Sequence, residues 1–405
     1  MSGTSGLLAA PRPAEPQRPG RAAPSAFLLP LHAFRLLGTR GVGVAGWFSA
    51  GQAATSALLY LGVEAPAGEP GRVVTITVLT LVVVAHLVAT AGMLHALRGG
   101  LAEFRARRIG AGPDERLLVA VDRAAPAFAL LYLTWGLTGD DARELARLAA
   151  LHGVAGGDAA DWPAGLDVRV TLGVAVIGLL VRTACGWWYG RRQGRVAGSL
   201  AALGEVCFAF FGLLAVAAAL GSAWLERRAV VAWAGDLVTR YEGVLSGPFR
   251  TWAGELLPYA TQAVLLPLMW LVVGALVLGA GSRRRGGSTA DPDGGLTRGP
   301  RGRCLPVLRA LRLVVRGGAP LFGMFCLCFV ALRAGVGYAE RGARQLIGPQ
   351  EGPLHLVYDR PLALLGELLL TALTVCLLAA ALDLAATRAR AFARPGDDEP
   401  VTART

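Results

Sequence analysis

Two apolar stretches in the middle of the chain, Val170 to Trp188 and Leu200 to Trp224, constrain the fold more than anything else in it. Each is long enough to cross a hydrocarbon core about 30 Å thick as a helix. A basic turn, Gly190 to Arg195, joins them, so an antiparallel hairpin is expected. Each run holds one ionisable residue, Arg182 in the first and Glu205 in the second. In a hairpin these two lie at the same depth, roughly 10 Å or more from the turn at the usual helical rise. A charge in hydrocarbon costs a few kcal/mol, so it seeks a partner or water. The fork of an arginine suits a carboxylate. The hairpin therefore predicts an Arg182–Glu205 pair.

The same reading extends along the chain. The first 26 residues, rich in Pro, Ala, Gly and Arg, read as a disordered cytoplasmic tail. Residues 27–281 read as a membrane bundle. It opens with an interfacial amphipathic helix, Phe27 to Leu37, and continues with spans at about Val44–Val63, Val73–Leu94 and Ala124–Leu137. The central hairpin supplies spans four and five. The sixth, about Pro258–Gly279, contains Pro267, which predicts a kink. Ser282 to Arg303 reads as a flexible basic cytoplasmic linker. Residues 304–387 add spans seven and eight, about Pro320–Tyr338 and Pro361–Ala385, and residues 388–405 form a second disordered cytoplasmic tail. The expected fold is all-α: a polytopic transmembrane helical bundle of about eight spans.

Charge orients the bundle. All 40 basic side chains are Arg, and the chain has neither Lys nor Asn, the mark of a GC-rich genome. With both termini placed inside, the inner segments carry about 27 arginines and the outer ones about 11. An odd number of spans would break this alternation. Localisation in the cell membrane with N- and C-termini cytoplasmic follows. The arginine runs are accounted for by topology and by anionic headgroups at the cytoplasmic face, so the lipid bilayer is the expected partner and nucleic acid is not.

Short matches recur along the chain. Ala57–Leu61 and Ala129–Leu133 both read ALLYL, and Trp224–Ala229 and Tyr338–Ala343 share aromatic-x-Glu-Arg-x-Ala. They suggest repeated helical hairpins, a device common in transporters. Two outer segments are amphipathic. Asp140 to Leu151 reads as a surface helix with Leu145, Leu148 and Leu151 toward one side, and Arg227 to Glu255 alternates apolar residues with charges; such segments read as an interfacial lid packed on the bundle, the alternative being a substrate gate or a docking platform.

Motifs for chemistry are missing. Gly41-Val42-Gly43-Val44-Ala45-Gly46 matches a dinucleotide-binding pattern by letter, but a membrane run follows it and no strand precedes it. Five scattered histidines and a lone Cys326-x-Cys328 give no metal spacing, so no metal and no cofactor is expected. No nucleophile elbow and no P-loop is present, and the chain reads as no enzyme. What remains are intramembrane polar groups. Arg182, Glu205, Arg333, Glu367, His86 and Gln262 are the candidates, with Gln52, Thr75 and Thr77 also inside spans and Asp383 near an inner end. Arg333 and Glu367 lie at similar depths below the outer surface and are expected to pair.

In composition and layout the chain resembles the uncharacterised multi-spanning integral membrane proteins of high-GC actinobacteria. That resemblance implies a membrane bundle and assigns no site. Function at this stage leans to a transporter-like or permeation role, the alternative being a non-transporting scaffold or partner subunit of a membrane complex. A polar cavity inside the bundle favours the first, and a dry interior the second.

Overall fold

The computed structural model describes residues 25–64, 69–102, 117–135, 137–151, 168–192, 195–220, 259, 261–279, 307–308, 310–315, 317–348 and 352–391. The linker Ser282–Arg303, the outer segment Arg227–Glu255 and nearly all of both tails lie outside them. Among the described residues every regular element is helical and no strand occurs. Nine α-helices follow in order: α1 (Leu29–Val63), α2 (Glu69–Leu97), α3 (Leu117–Thr134), α4 (Leu137–Leu151), α5 (Val168–Arg192), α6 (Arg195–Leu220), α7 (Leu266–Leu278), α8 (Ala319–Ile347) and α9 (Gly352–Ala391).

Among the described residues four helical stretches are long and apolar enough to cross a membrane: Val74–Gly100, Thr171–Trp188, Ala319–Ile347 and Tyr358–Ala389. Two shorter apolar stretches, Leu203–Val216 and Ala263–Leu278, accompany them. The bundle is thus compatible with a membrane protein.

Several boundaries differ from those read off the sequence, each for a local reason. Phe27–Leu37 is not a separate interfacial helix. From Leu29 it is the first part of α1, which runs unbroken for 35 residues, roughly 52 Å at 1.5 Å per residue. Pro30 sits in the first turn, where its missing N–H costs nothing, and glycines 38, 41, 43 and 46 lower helix propensity without ending the helix. Ala26, at the end of the supposed tail, is buried in a short 3-10 turn. The helix read as the third span, short unless Leu117 to Val121 extend it, does begin at Leu117, and it carries Pro126 inside it. The Tyr338–Ala343 motif does not end its span, because α8 continues to Ile347 and stops at Gly348, whose φ of +77° suits glycine. At Pro267 the irregularity is a five-residue π turn, Thr261–Leu265, leading into α7. A proline that cannot donate to the preceding turn is a common reason for such a break.

α7 lies at the centre. Its sequence, LPLMWLVVGALVL, is apolar all round, so no face prefers solvent, and ten of its 13 residues are buried. It packs against α2, α3 and α9. Its C-terminus ends at Gly279 (φ +68°) and meets two arginines, Arg98 and Arg123. Arg98 Nη2 donates to the Val277 carbonyl at 2.8 Å, and Arg123 Nη1 to the Leu276 carbonyl at 3.4 Å. Cations there satisfy the last carbonyls and complement the helix dipole. Around α7, α1 pairs with α2 and with α9, α3 with α6, and α8 with α9. α5 packs chiefly on α6 and stands at the edge of the bundle. The amphipathic α4 lies across α1, α2 and α3, burying Ala142 and Leu145 against Leu59, Val63, Leu79 and Val82.

Candidate functional site

Two polar constellations lie within the bundle. The first is the predicted pair. Arg182 on α5 and Glu205 on α6 form a salt bridge, with side-chain exposures of 6% and 3%. Glycines make it possible. A Cβ on Gly204 would lie 2.8 Å from the Arg182 backbone N and 2.8 Å from the Gly178 carbonyl oxygen, and one on Gly178 would lie 2.9 Å from the Phe208 backbone N. The two backbones therefore touch at Gly178 and Gly204, one turn before Arg182 and one residue before Glu205. Small residues at a crossing let transmembrane helices approach this closely. Asp122 of α3, 6% exposed, interacts electrostatically with Glu205, so the cluster holds two carboxylates and one guanidinium. Asp122 was not singled out from the sequence, because it lies just before the third span as read there, Ala124–Leu137.

The second constellation is a cavity of about 530 Å³ bounded by α1, α2, α3, α4, α7, α8 and α9. α2 contributes His86, Thr90 and Met93, α3 contributes Phe128 and Tyr132, and α4 contributes Asp140 and Asp141. The remaining wall includes Gln52 of α1, Trp270 of α7, Arg333 of α8, and Glu367, Thr371 and Thr374 of α9. His86 and Glu367, two of the predicted residues, thus face one space. Arg333 and Glu367 both line it, but the expected ion pair between them is absent among the described residues. Gln52 Nε2 instead donates to Glu367 Oε2 at 3.2 Å, and the Arg333 guanidinium lies 6.0 Å from the centre of the Phe329 ring. The reason lies in packing: α1 rests on α9 and brings Gln52 to the carboxylate.

At the opposite wall Tyr132 OH donates to Asp141 Oδ2 at 2.5 Å, and His86 Nε2 stands 3.9 Å from Asp141 Oδ1. The imidazole and phenol rings are 5.9 Å apart. Phe128 extends this wall, with its ring 5.5 Å from Tyr132 and in edge contact with Trp270 at 6.4 Å. Burial pushes the Asp141 carboxyl up to about 6; the Tyr132 hydrogen bond pulls it down, and neighbouring Asp140 pushes it up again. Asp140 itself is ion-paired with Arg143. Ion pairs from Arg360 on α9 to Glu144 on α4, and from Arg344 on α8 to Asp359 on α9 (3.0 Å), tie together the helix ends beside the cavity.

Asp141 and Tyr132 were not singled out from the sequence. One sign of Asp141 was present: it lies four residues before Leu145, on the apolar stripe of α4, where an acid has no solvent reason to be. One other candidate stands apart from the cavity. Asp383 is 2% exposed, and its carboxylate accepts from the Ala102 N–H at 3.2 Å, fixing the chain after α2. The side chain of Gln262 lies outside the described residues. Among the described residues no three His, Cys, Asp or Glu side chains gather as metal ligands do.

Chemically, the cavity offers three carboxylates (Asp140, Asp141 and Glu367), one guanidinium, an imidazole and amide and hydroxyl groups set into an aromatic and aliphatic wall. Volume and lining fall in the range of small-molecule sites. No protein-family model, no curated protein and no solved structure matches the chain.

Proposed function

We propose that the chain is an integral protein of the cell membrane that binds and moves a small polar solute through the cavity between α1, α2, α3, α4, α7, α8 and α9. The observation that carries this reading is the cavity itself: seven helices converge on one space of about 530 Å³ and direct His86, Asp141, Arg333 and Glu367 into it. Ionisable residues on membrane helices are costly, and they mark solute or proton pathways when they gather on a shared cavity. The proposed topology is eight spans with both termini cytoplasmic, resting on the arginine asymmetry. It includes repeated hairpins as the building unit. In that orientation the cavity occupies the outer half of the bundle, with the Arg182–Glu205–Asp122 cluster toward the inside.

The test is access from the two sides. In a variant whose native cysteines are replaced, Thr371→Cys on the cavity wall is treated with a membrane-impermeant thiol reagent, first from outside and then from inside. Permeation requires labelling from outside and slower labelling from inside. Ala379→Cys, at a fully buried position, is the dry control. Labelling of Thr371→Cys from neither side would reject the reading. The alternative, a partner subunit that transports nothing, draws on the outer face of α5, where Leu172, Val176 and Leu180 are exposed one turn apart. It predicts a stoichiometric membrane partner held on α5.

A further inference from the structure

We infer that the solute this cavity takes is an organic cation, a protonated or quaternary amine with an apolar body. The inference rests on the permeation reading, since it names the solute class for that same cavity. Three observations lead to it.

The first is charge. Asp140 is neutralised by Arg143 on the same helix. Among the described residues Asp141 has only His86 within ion-pair range, and Glu367 accepts a hydrogen bond from the neutral amide of Gln52; the charge acting most on Glu367, Arg360, is itself ion-paired with Glu144, and Glu340 adds a further negative charge nearby. Against these two carboxylates the wall sets one guanidinium, Arg333. With His86 neutral, the cavity carries one negative charge in excess, and a monovalent cation balances it. An uncompensated carboxylate charge within a membrane bundle is costly, so the cavity favours a cationic guest.

The second is the wall. Phe48, Phe128, Tyr132, Trp135, Trp270 and Phe329 all line the cavity. Aromatic faces attract cations, most strongly where water is excluded, and quaternary ammonium groups are the ligands that such cages recognise. An inorganic cation would need oxygen ligands closing around it, and three-carboxylate groupings are missing among the described residues. An anion would meet Asp141 and Glu367, with Asp140 beside them.

The third is that the wall already holds a cation. Arg333 lies over Phe329 at 6.0 Å. The protein thus uses one part of the aromatic lining for its own guanidinium. The Phe128–Tyr132–Trp270 corner beside Asp141 offers the same chemistry to a guest.

The experiment is equilibrium binding to the purified full-length protein in detergent at pH 7.5, by calorimetry and tryptophan quenching. The probe is benzyltrimethylammonium, with benzenesulfonate as an anion of similar size. The cation should bind saturably and the sulfonate should not. Glu367→Gln and Asp141→Asn should each weaken the cation at least tenfold. Trp270→Leu should weaken it roughly five- to thirty-fold, the scale of a desolvated cation–π contact. Trp270→Phe, which keeps an aromatic face, should stay within about threefold by the same reasoning. Melting of each variant without probe identifies any that misfold, and the other variants then carry the test. Absence of saturable cation binding, equal binding of the sulfonate, or unchanged affinity in both carboxylate variants overturns the inference. If the cation fails while Thr371→Cys still labels from both sides, the solute class is wrong and the permeation reading stands. If both fail, the cavity has no transport role.

Discussion

Gly204→Ala adds one methyl group to the tightest point of the α5–α6 crossing. Its Cβ would sit 2.8 Å from both the Arg182 backbone N and the Gly178 carbonyl oxygen, and 3.1 Å from the Arg182 Cα. Non-bonded carbon contacts settle near 3.5 Å or beyond, so the helices must part by about 0.7 Å. The obstacles are backbone atoms, which cannot rotate away. Overpacking of this kind costs about 1–3 kcal/mol. Alanine returns about 0.5–1 kcal/mol through its better helix propensity. The net loss is therefore about 1–2 kcal/mol, with a further loss if separation loosens the Arg182–Glu205 bridge. The assay is reversible unfolding in mixed micelles, followed by tryptophan fluorescence. The internal controls are Gly173→Ala on α5 and Gly212→Ala on α6, where an added Cβ meets nothing within 4 Å. These should be neutral or stabilised by up to about 1 kcal/mol. If Gly204→Ala is no less stable than Gly212→Ala, the close crossing is not what holds the hairpin.

Arg182→Leu and Glu205→Leu should each cost about 3–5 kcal/mol, because each removes one partner of a buried ion pair, and the double variant should recover part of the loss. Additive losses in folded membrane yield would argue against coupling. Arg98→Leu removes the 2.8 Å bond to the Val277 carbonyl and should lower stability by about 1–3 kcal/mol. Arg123→Leu, at 3.4 Å, should cost less in the same melts, and equal or reversed losses would refute the account of how α7 ends. Asp141 titrates near 6 in the folded protein, above its ordinary 3.8, so the folded state holds that proton more tightly than the unfolded one. Stability should therefore fall as pH rises from about 4 through 6, by up to about 3 kcal/mol. Melts at pH 4.5 and 7.5 should show this slope in the wild type and a weaker one in Asp141→Asn; identical slopes would refute it.

How much of this could be read from the sequence depends on how far apart the partners lie. Arg182 and Glu205 were readable together because one tight hairpin fixes both depths. Rise per residue alone aligns them, and the glycines beside them sit at the crossing. The cavity was not readable. Gln52 reaches Glu367 across 315 residues, and nothing local to α9 says that α1 will lie against it. Arg333 and Glu367 share a depth, which suggested an ion pair, but depth does not fix the face a helix turns to its neighbour. Asp141 was hidden for a related reason: its place on α4 was legible, whereas its partners His86 and Tyr132 come from helices over which α4 folds back. Helix ends were blurred by composition. Ala-, Leu- and Gly-rich flanks continue a helix as readily as they end one, which is how α1 absorbed the supposed interfacial segment and α8 ran past Tyr338.

The central claim is that a solute crosses the membrane through the cavity that holds His86, Asp141 and Glu367, and flux across proteoliposomes tests it most directly. Vesicles loaded with benzyltrimethylammonium and diluted into radiolabelled cation should accumulate label by exchange, saturably, and at least tenfold faster than protein-free vesicles. Glu367→Gln, reconstituted at the same density, should lower that rate at least tenfold. Vesicles screened in the same way with anionic, zwitterionic and neutral solutes complete the measurement. If folded, reconstituted protein exchanges none of these solutes faster than empty vesicles do, the cavity is not a pathway and the account is contradicted.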